Sequence, residues 1–365
     1  MTTALADKIK ALIRQTGPIS ITDYFALCLA DPEHGYYQTR DPFGTAGDFV
    51  TAPEVSQLFG EMIGIFLVHA WQKHLMPRRA IRIVEIGPGR GTMMKDILRV
   101  MGRLAPALYE SATVHLVETS DRLSRMQAET LRNHGDKVRW HKSFEDVPDG
   151  FVLLAANEFF DAVPIRQFVK TTSGFRERMV GIDDRGDLTF AAGYGGIDPA
   201  LLPVDHASQP LGTVAEVAPA RSAIMQAISH RLFVGGGTAL FIDYGHLRSG
   251  FGDTLQAVLD HRYDPPLAHP GRADLTSHVD FEVLAAVARA SALHVNGMLD
   301  QATFLLKLGI AERAGGLGHG KDELTQQAIR AVVDRLVGTA KGEMGSLFKL
   351  LAVSSPQVAL QPFEP

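Results

Sequence analysis

Ile81-Arg82-Ile83-Val84-Glu85-Ile86-Gly87-Pro88-Gly89-Arg90-Gly91-Thr92 is the stretch on which the fold of this chain turns. A short apolar run, Ile81–Ile86, ends in a glycine-rich turn, and a helical stretch from Met93 to about Met101 follows. Glycines at alternate positions let the backbone turn sharply and approach a ligand with no Cβ in the way. The amides that open the next helix favour a carboxylate or phosphate. Further on, the apolar run Thr113–Val117 ends at Glu118, where a carboxylate can accept hydrogen bonds from both ribose hydroxyls. A dinucleotide site uses the same physics, but its fingerprint is G-x-G-x-x-G. Here the spacing is G-x-G-x-G with Glu85 ahead of the first glycine. The spacing favours an S-adenosylmethionine loop over a dinucleotide loop or a plain tight turn. Its expected cofactor-binding residues are Glu85, Gly87, Gly89, Gly91, Thr92, Glu118 and Thr119.

The same rhythm continues outward. Asp121–Asn133 reads as a helix, Val138–His141 as a third strand, Phe151–Ala156 as a fourth, and Thr238–Ile242 as a fifth that ends at Asp243. Short apolar strands alternating with helices indicate a parallel sheet covered on both faces. A helix (Val279–Ala290), a strand near Leu293–Val295, a helix (Glu323–Val337) and a last strand (Leu347–Val353) complete the pattern. Two stretches interrupt it. Residues 165–216 hold alternating segments, Phe175–Ile182 and Leu188–Phe190, around a turn at Asp183-Asp184-Arg185-Gly186, and read as an antiparallel insertion. Residues 244–276, with Pro265-Pro266, Pro270 and Gly271, read as loop. Both follow the carboxyl ends of strands, where a substrate approaches the cofactor of an open α/β sheet. The expected division is a helical extension and lid over residues 1–80, then one domain over 81–365 carrying both insertions. Within the extension, Met1–Ser20 reads as an amphipathic helix. Thr51-Ala52-Pro53-Glu54 reads as a capping box that opens a helix through Leu58, Met62, Ile65, Phe66 and His69, ending before Pro77. Gly235-Gly236-Gly237 reads as a helix C-cap and turn, with no phosphate loop implied.

Bulk composition narrows the class. The chain has 365 residues, 45% hydrophobic and 21% charged, which fits a globular protein with a well-filled core. No apolar run approaches the roughly 20 residues of a membrane helix. A net charge of −5 gives no support for tight nucleic-acid binding. Cys28 is the only cysteine, which excludes internal disulfides and cysteine-rich metal sites. With no targeting pattern at the start, the expected compartment is the reducing cytoplasm. Fourteen histidines include no H-E-x-x-H, so no metal is expected.

Longer motifs carry a resemblance. Gly47-Asp48-Phe49-Val50-Thr51-Ala52-Pro53-Glu54-Val55-Ser56-Gln57-Leu58-Phe59-Gly60-Glu61, Glu85–Thr92, Leu116-Val117-Glu118-Thr119-Ser120 and Asn157-Glu158-Phe159-Phe160-Asp161-Ala162-Val163-Pro164 belong to it. So do Ile242-Asp243-Tyr244-Gly245-His246, Ala273-Asp274-Leu275-Thr276-Ser277-His278-Val279-Asp280-Phe281 and Met344-Gly345-Ser346-Leu347-Phe348-Lys349. Together they make the chain similar to the MidA-type methyltransferases, the family of a mitochondrial complex I assembly factor with arginine methyltransferase activity. The resemblance implies a Rossmann-like class I methyltransferase fold, a seven-stranded mostly parallel sheet whose last strand inserts antiparallel between the fifth and sixth. It implies S-adenosyl-L-methionine as cofactor and a protein substrate. For the characterised mitochondrial member it implies symmetric dimethylation of an arginine in an iron–sulfur-side subunit of respiratory complex I.

Arginine as nucleophile poses a problem, because guanidinium stays protonated in water. Carboxylates can grip it bidentately and accept its proton. Asn157, Glu158 and Asp161 lie just past the fourth strand, with Phe159 and Phe160 between the acids, and are the candidate catalytic residues. Asp161 as a turn cap and the phenylalanines as core are the plainer reading. Glu216 is a further candidate from the insertion, or else a helix cap. His246 is more simply structural than a proton acceptor, and Ser277-x-x-Asp280 reads as a helix cap. Methylation of a small molecule or RNA on the same fold stays open, as does an assembly chaperone that binds S-adenosylmethionine.

Overall fold

The computed structural model describes residues 3–39, 51–75 and 80–364. The signature residues Gly47 to Val50 and the approach to Pro77 lie outside them. The chain forms two compact units.

The larger unit comprises the described residues of Val50–Phe159, Ile224–Leu247 and Asp280–Pro365. Its sheet runs through β1 (Ile81–Ile86), β2 (Ala112–Val117), β3 (Val138–His141), β4 (Phe151–Asn157), β5 (Gly237–His246), β6 (His294–Asp300) and β7 (Phe348–Ser355). Their order is β6-β7-β5-β4-β1-β2-β3. β1 pairs in parallel with β2 and β4, and β4 with β5, while β7 is antiparallel to both β5 and β6. This is the expected seven-stranded order, with the last strand inside the sheet. Every residue of β4 is buried, as a strand covered on both faces requires. In register, Ile86 faces Val117 on one side and Ala156 on the other. The carboxyl ends of β1, β2 and β4 therefore finish level, and the glycine turn, Glu118 and Asn157 share one edge of the sheet.

Helices α1 (Gln57–Lys73), α2 (Thr92–Leu104) and α3 (Asp121–Thr130) belong to this unit. The boundary at residue 80 is therefore not where the compact units divide. Phe59, Met62, Ile63 and Phe66 of α1 sit in one core cluster with Ile83, Met94, Leu153 and Leu350, so this helix covers the sheet. The expected capping box does not form either. Thr51 makes no side-chain cap bond, and a short helix Ala52–Val55 ends where Ser56 turns extended (φ −165°). Ser56 then caps α1 by accepting from the Leu58 amide at 3.1 Å. The stretch after β6 also holds two helices that its pattern did not disclose, Gln301–Lys307 and Ile310–Gly318.

The smaller unit gathers the described residues of Met1–Phe49 with Phe160–Ala223 and Arg248–Val279. The antiparallel reading of the first insertion holds. Gly174–Ile182 pairs with Arg166–Thr171, with Leu188–Gly196 and with Ile19–Ser20, and Arg166–Thr171 pairs with Val214–Val217. The second insertion is not loop throughout. Gln256–Leu259 pairs antiparallel with Arg262–Asp264 and with Asp274–Thr276. Its hairpin turns through Asp260 and His261 at φ 50° and 61°, a turn made without the glycine or asparagine that would announce it. The helix Ala4–Thr16 and Ile21–Ala30 bury Leu5, Ile9, Tyr24 and Phe25 in a core with Ile165, Val180 and Leu275. This shared core explains why the N-terminal segment joins the insertions and not a separate extension.

Candidate active site

The glycine turn adopts a conformation that its sequence demands. Gly87, Gly89 and Gly91 all have left-handed φ values, 67°, 53° and 80°. Non-glycine residues seldom adopt such angles. A Cβ on Gly87 would meet the Phe159 ring at 3.3 Å, and one on Gly91 would touch Gln127 at 3.5 Å. Gly91 caps α2 without any side-chain bond, and the Met94 amide in its first turn bonds Glu85, so the amides of Thr92 and Met93, which have no partner within the helix, point to where a ligand would bind. Thr92 is turned away: its hydroxyl donates to Glu54 Oε1 at 2.5 Å. Arg90 stands 3.8 Å from the other oxygen of Glu54. The residue expected to close a cap thus ties α2 down instead.

Glu85 is buried at the end of β1, and burial pushes its carboxyl well above the ordinary range against a backbone bond from Met94. Its Oε2 has no hydrogen-bond partner among the described residues. Glu118, just past β2, is also buried, and burial raises its pKa against bonds from Ser120 and Gln127. Ser120 N donates to Glu118 Oε1 at 2.7 Å and Gln127 Nε2 to Oε2 at 3.1 Å. Thr119 is exposed, and its carbonyl accepts from Lys142 at 2.9 Å.

After β4 the chain makes a strained elbow. Glu158 has φ 50°, which costs a non-glycine residue roughly 1–3 kcal/mol. Two bonds hold it there: Glu158 N donates to the Ile242 carbonyl at 2.9 Å, and Phe159 N to Asp243 Oδ2 at 3.1 Å. Asn157 Nδ2 donates to Glu158 Oε1 at 3.0 Å, and Asn157 Oδ1 is buried with no partner among the described residues. Glycine loop, Glu118, Asn157 and Glu158 thus gather in the larger unit.

Two further candidates belong to the smaller unit. Asp161 is buried, and its backbone carbonyl accepts from Ser277 N at 3.2 Å and Arg221 Nη2 at 3.3 Å. Both oxygens of Glu216 are engaged: Oε1 accepts from Gln167 Nε2 at 2.7 Å and Thr254 N at 2.9 Å, and Oε2 from Thr254 Oγ1 at 2.5 Å. Glu216 fastens the segment before Gln256–Leu259 to the antiparallel sheet. His246 lies 3.5 Å from Asp280, which caps the helix Phe281–Ala290 through Val283 N. Ser277 takes no part in that cap, since its hydroxyl accepts from Arg221 Nη2 at 2.5 Å.

Three residues carry roles that the sequence reading did not give them. Asp243, buried, anchors the elbow, and Glu54 anchors Thr92. Gln127 is fully buried between the glycine loop and Glu118. A signal for it existed: Leu123, Gln127 and Leu131 follow i, i+4 spacing, so a polar residue occupies the buried stripe of α3.

Comparisons with known proteins bear on this geometry. The family model described as "Putative S-adenosyl-L-methionine-dependent methyltransferase" matches residues 62–299. Among curated proteins the chain is 36% identical to the zebrafish (Danio rerio) mitochondrial protein arginine methyltransferase NDUFAF7, covering 96% of this chain and 85% of that one. It is 37% identical to the human (Homo sapiens) protein of the same name, over 93% and 81%. A crystal structure of a Burkholderia thailandensis chain bound to S-adenosyl-homocysteine superposes with TM-score 0.83 at 28% identity, over 98% and 93%. The cofactor is S-adenosylmethionine, and the residues fit it. The first two amides of α2, ahead of the Met94 amide that bonds Glu85, suit a carboxylate, and the buried Glu118 at the strand end suits a ribose diol. One expectation is corrected here: the relatives are mitochondrial proteins by name, which overturns the cytoplasmic assignment. A lone cysteine reports only that no internal disulfide is needed, which does not select a compartment.

Proposed function

The chain belongs to the S-adenosyl-L-methionine-dependent methyltransferases, and we propose that it methylates an arginine side chain of a protein. The observation that carries this reading is the similarity, over more than nine-tenths of the chain, to proteins named arginine methyltransferases. The motif resemblance extends the proposal to the acceptor, an arginine in a subunit of respiratory complex I, and to symmetric dimethylation.

The cofactor supplies an electrophilic methyl group on a sulfonium. In this proposal Glu85, the turn of Gly87, Gly89 and Gly91 and the first amides of α2 hold its amino-acid end, and Glu118 with the Thr119 backbone holds its ribose. Thr92 braces the helix through Glu54. Glu158 pairs with the acceptor guanidinium, aims one nitrogen and takes its proton. Asn157 orients Glu158 through the bond to Oε1. Glu216 serves as an anchor of the smaller unit, since Gln167 and Thr254 occupy its carboxylate, while Ser277 and Arg221 hold only the backbone carbonyl of Asp161.

The deciding experiment incubates the protein with isotopically labelled S-adenosylmethionine and mitochondrial lysate and maps the label by mass spectrometry. Label on arginine of a complex I subunit supports the reading. Label confined to RNA or small molecules sinks it.

A further inference from the structure

We propose that Gln127 and Trp140 form a positioning relay that sets Glu118 and the glycine loop relative to each other for the cofactor's ribose. The inference rests on the reading of Glu118 as the ribose ligand. It starts from three hydrogen bonds at one side chain. Gln127 Nε2 donates to the Gly89 carbonyl at 2.8 Å and to Glu118 Oε2 at 3.1 Å, and its Oε1 accepts from Trp140 Nε1 at 2.9 Å.

An amide can be flipped end for end, so its orientation must come from its partners. Here all three agree. An indole N–H only donates, a backbone carbonyl only accepts, and an ionised carboxylate only accepts. Flipping Gln127 would set its NH2 against the indole N–H and its oxygen against two other oxygens. With Gln127 fully buried, no water would relieve the mismatch. Trp140 on β3 is therefore the key that turns the amide, and the amide in turn holds the carboxylate. A side chain at Gly91 would come up against Gln127, so the glycine turn and this amide lie side by side. The edge strand β3, which supplies no proposed cofactor contact, gains a task through this relay.

Glu118 needs such a guide. Of its two oxygens, Oε1 is placed by Ser120 N, two positions on in sequence, while Oε2 is placed by the side chain of Gln127. A carboxylate that meets two vicinal hydroxyls must present both oxygens in a set plane, so loss of the second hold blurs recognition.

The test is calorimetric binding of S-adenosylhomocysteine and its 2′-deoxy analogue to the full chain and to Glu118→Ala, Gln127→Met, the double variant, Gln127→Glu and Trp140→Phe. Melting curves confirm that each variant is folded. The expected results are about a tenfold loss for Gln127→Met, a larger loss for Gln127→Glu, where two carboxylates collide, and a several-fold loss for Trp140→Phe. The double variant should bind no more weakly than Glu118→Ala alone, and Gln127→Met should lose less against the 2′-deoxy analogue. Losses that multiply in the double variant, with Glu118→Ala itself impaired, overturn the relay and leave the ribose reading intact. Unchanged binding by Glu118→Ala overturns both. Should Gln127→Met fail to fold, Trp140→Phe, alone and with Glu118→Ala, completes the same cycle.

Discussion

Two candidate carboxylates, Glu85 in the larger unit and Glu216 in the smaller, meet opposite treatment. In the larger unit, acids and amides at the strand ends keep atoms in reserve: Glu85 Oε2 and Asn157 Oδ1 are buried without partners among the described residues. Around Glu216 in the smaller unit the side chains are spent on one another. Glu216 is held by Gln167 and Thr254, Asp253 bonds Gln167 at 2.9 Å and Arg178 at 2.6 Å, and Arg178 stacks 3.7 Å over the Phe190 ring. Buried groups without protein partners cost stability, so they persist where a ligand completes them. Completed networks hold shape. The sequence motif around each acid looks equally promising, and the difference shows only in who answers its oxygens.

The hardest blow to this contrast falls on the glycine turn. Gly89→Val puts a branched side chain at φ 53°, and calorimetry should detect no S-adenosylmethionine binding. Retained affinity would move the cofactor site elsewhere. Glu158→Gln should keep cofactor affinity and melting temperature while methyl transfer falls on the order of 10²-fold, because the amide loses both the charge and the base. Full activity would remove Glu158 from the chemistry. Glu118→Ala should weaken cofactor binding by about 1.5–3 kcal/mol, the scale of a charge-assisted hydrogen bond.

The smaller unit should answer differently. Glu216→Gln should cost about 1–3 kcal/mol of stability, because the amide cannot accept at both ends from Gln167 and Thr254, while cofactor affinity holds. A cofactor defect without a stability loss would erase the distinction between the units.

The smallest effect concerns pH. His115, stacked on His141 with 2.8 Å between ring nitrogens, is lowered from 6.5 to about 4 by burial and by the charge that His141 can carry. Below pH 6.5 the unfolded chain takes up a proton that the folded one refuses until near pH 4, so this group's contribution to stability is lost as pH falls through that window. Asp96, raised to about 6 by burial, acts in the opposite sense over the same range, as the folded chain binds the proton first. His115→Gln should therefore lose less stability than the parent between pH 6.5 and 4, as read from melting temperatures. An unchanged slope would mean that the histidine pair is already solvated.

Local chemistry settled much in advance. A glycine turn after an apolar strand, an acid at the next strand end and apolar runs between helices are consequences of φ, of periodicity and of which residues can be buried. Those read directly from Ile81–Thr92 and Thr113–Glu118. Tertiary structure decided the rest, because its causes are not local. Residues 3–39 join the insertions because Leu5, Ile9 and Phe25 find their apolar partners in Ile165, Val180 and Leu275. Glu54, read as a cap, is drawn off by Thr92, 38 positions away. Glu158 sits at a strained φ because Ile242 and Asp243 on the neighbouring strand hold the elbow. Gln127 matters through Trp140, Gly89 and Glu118, which no pattern along α3 could bring together. A side chain's type tells what it can bond, and only the fold decides which partner reaches it first.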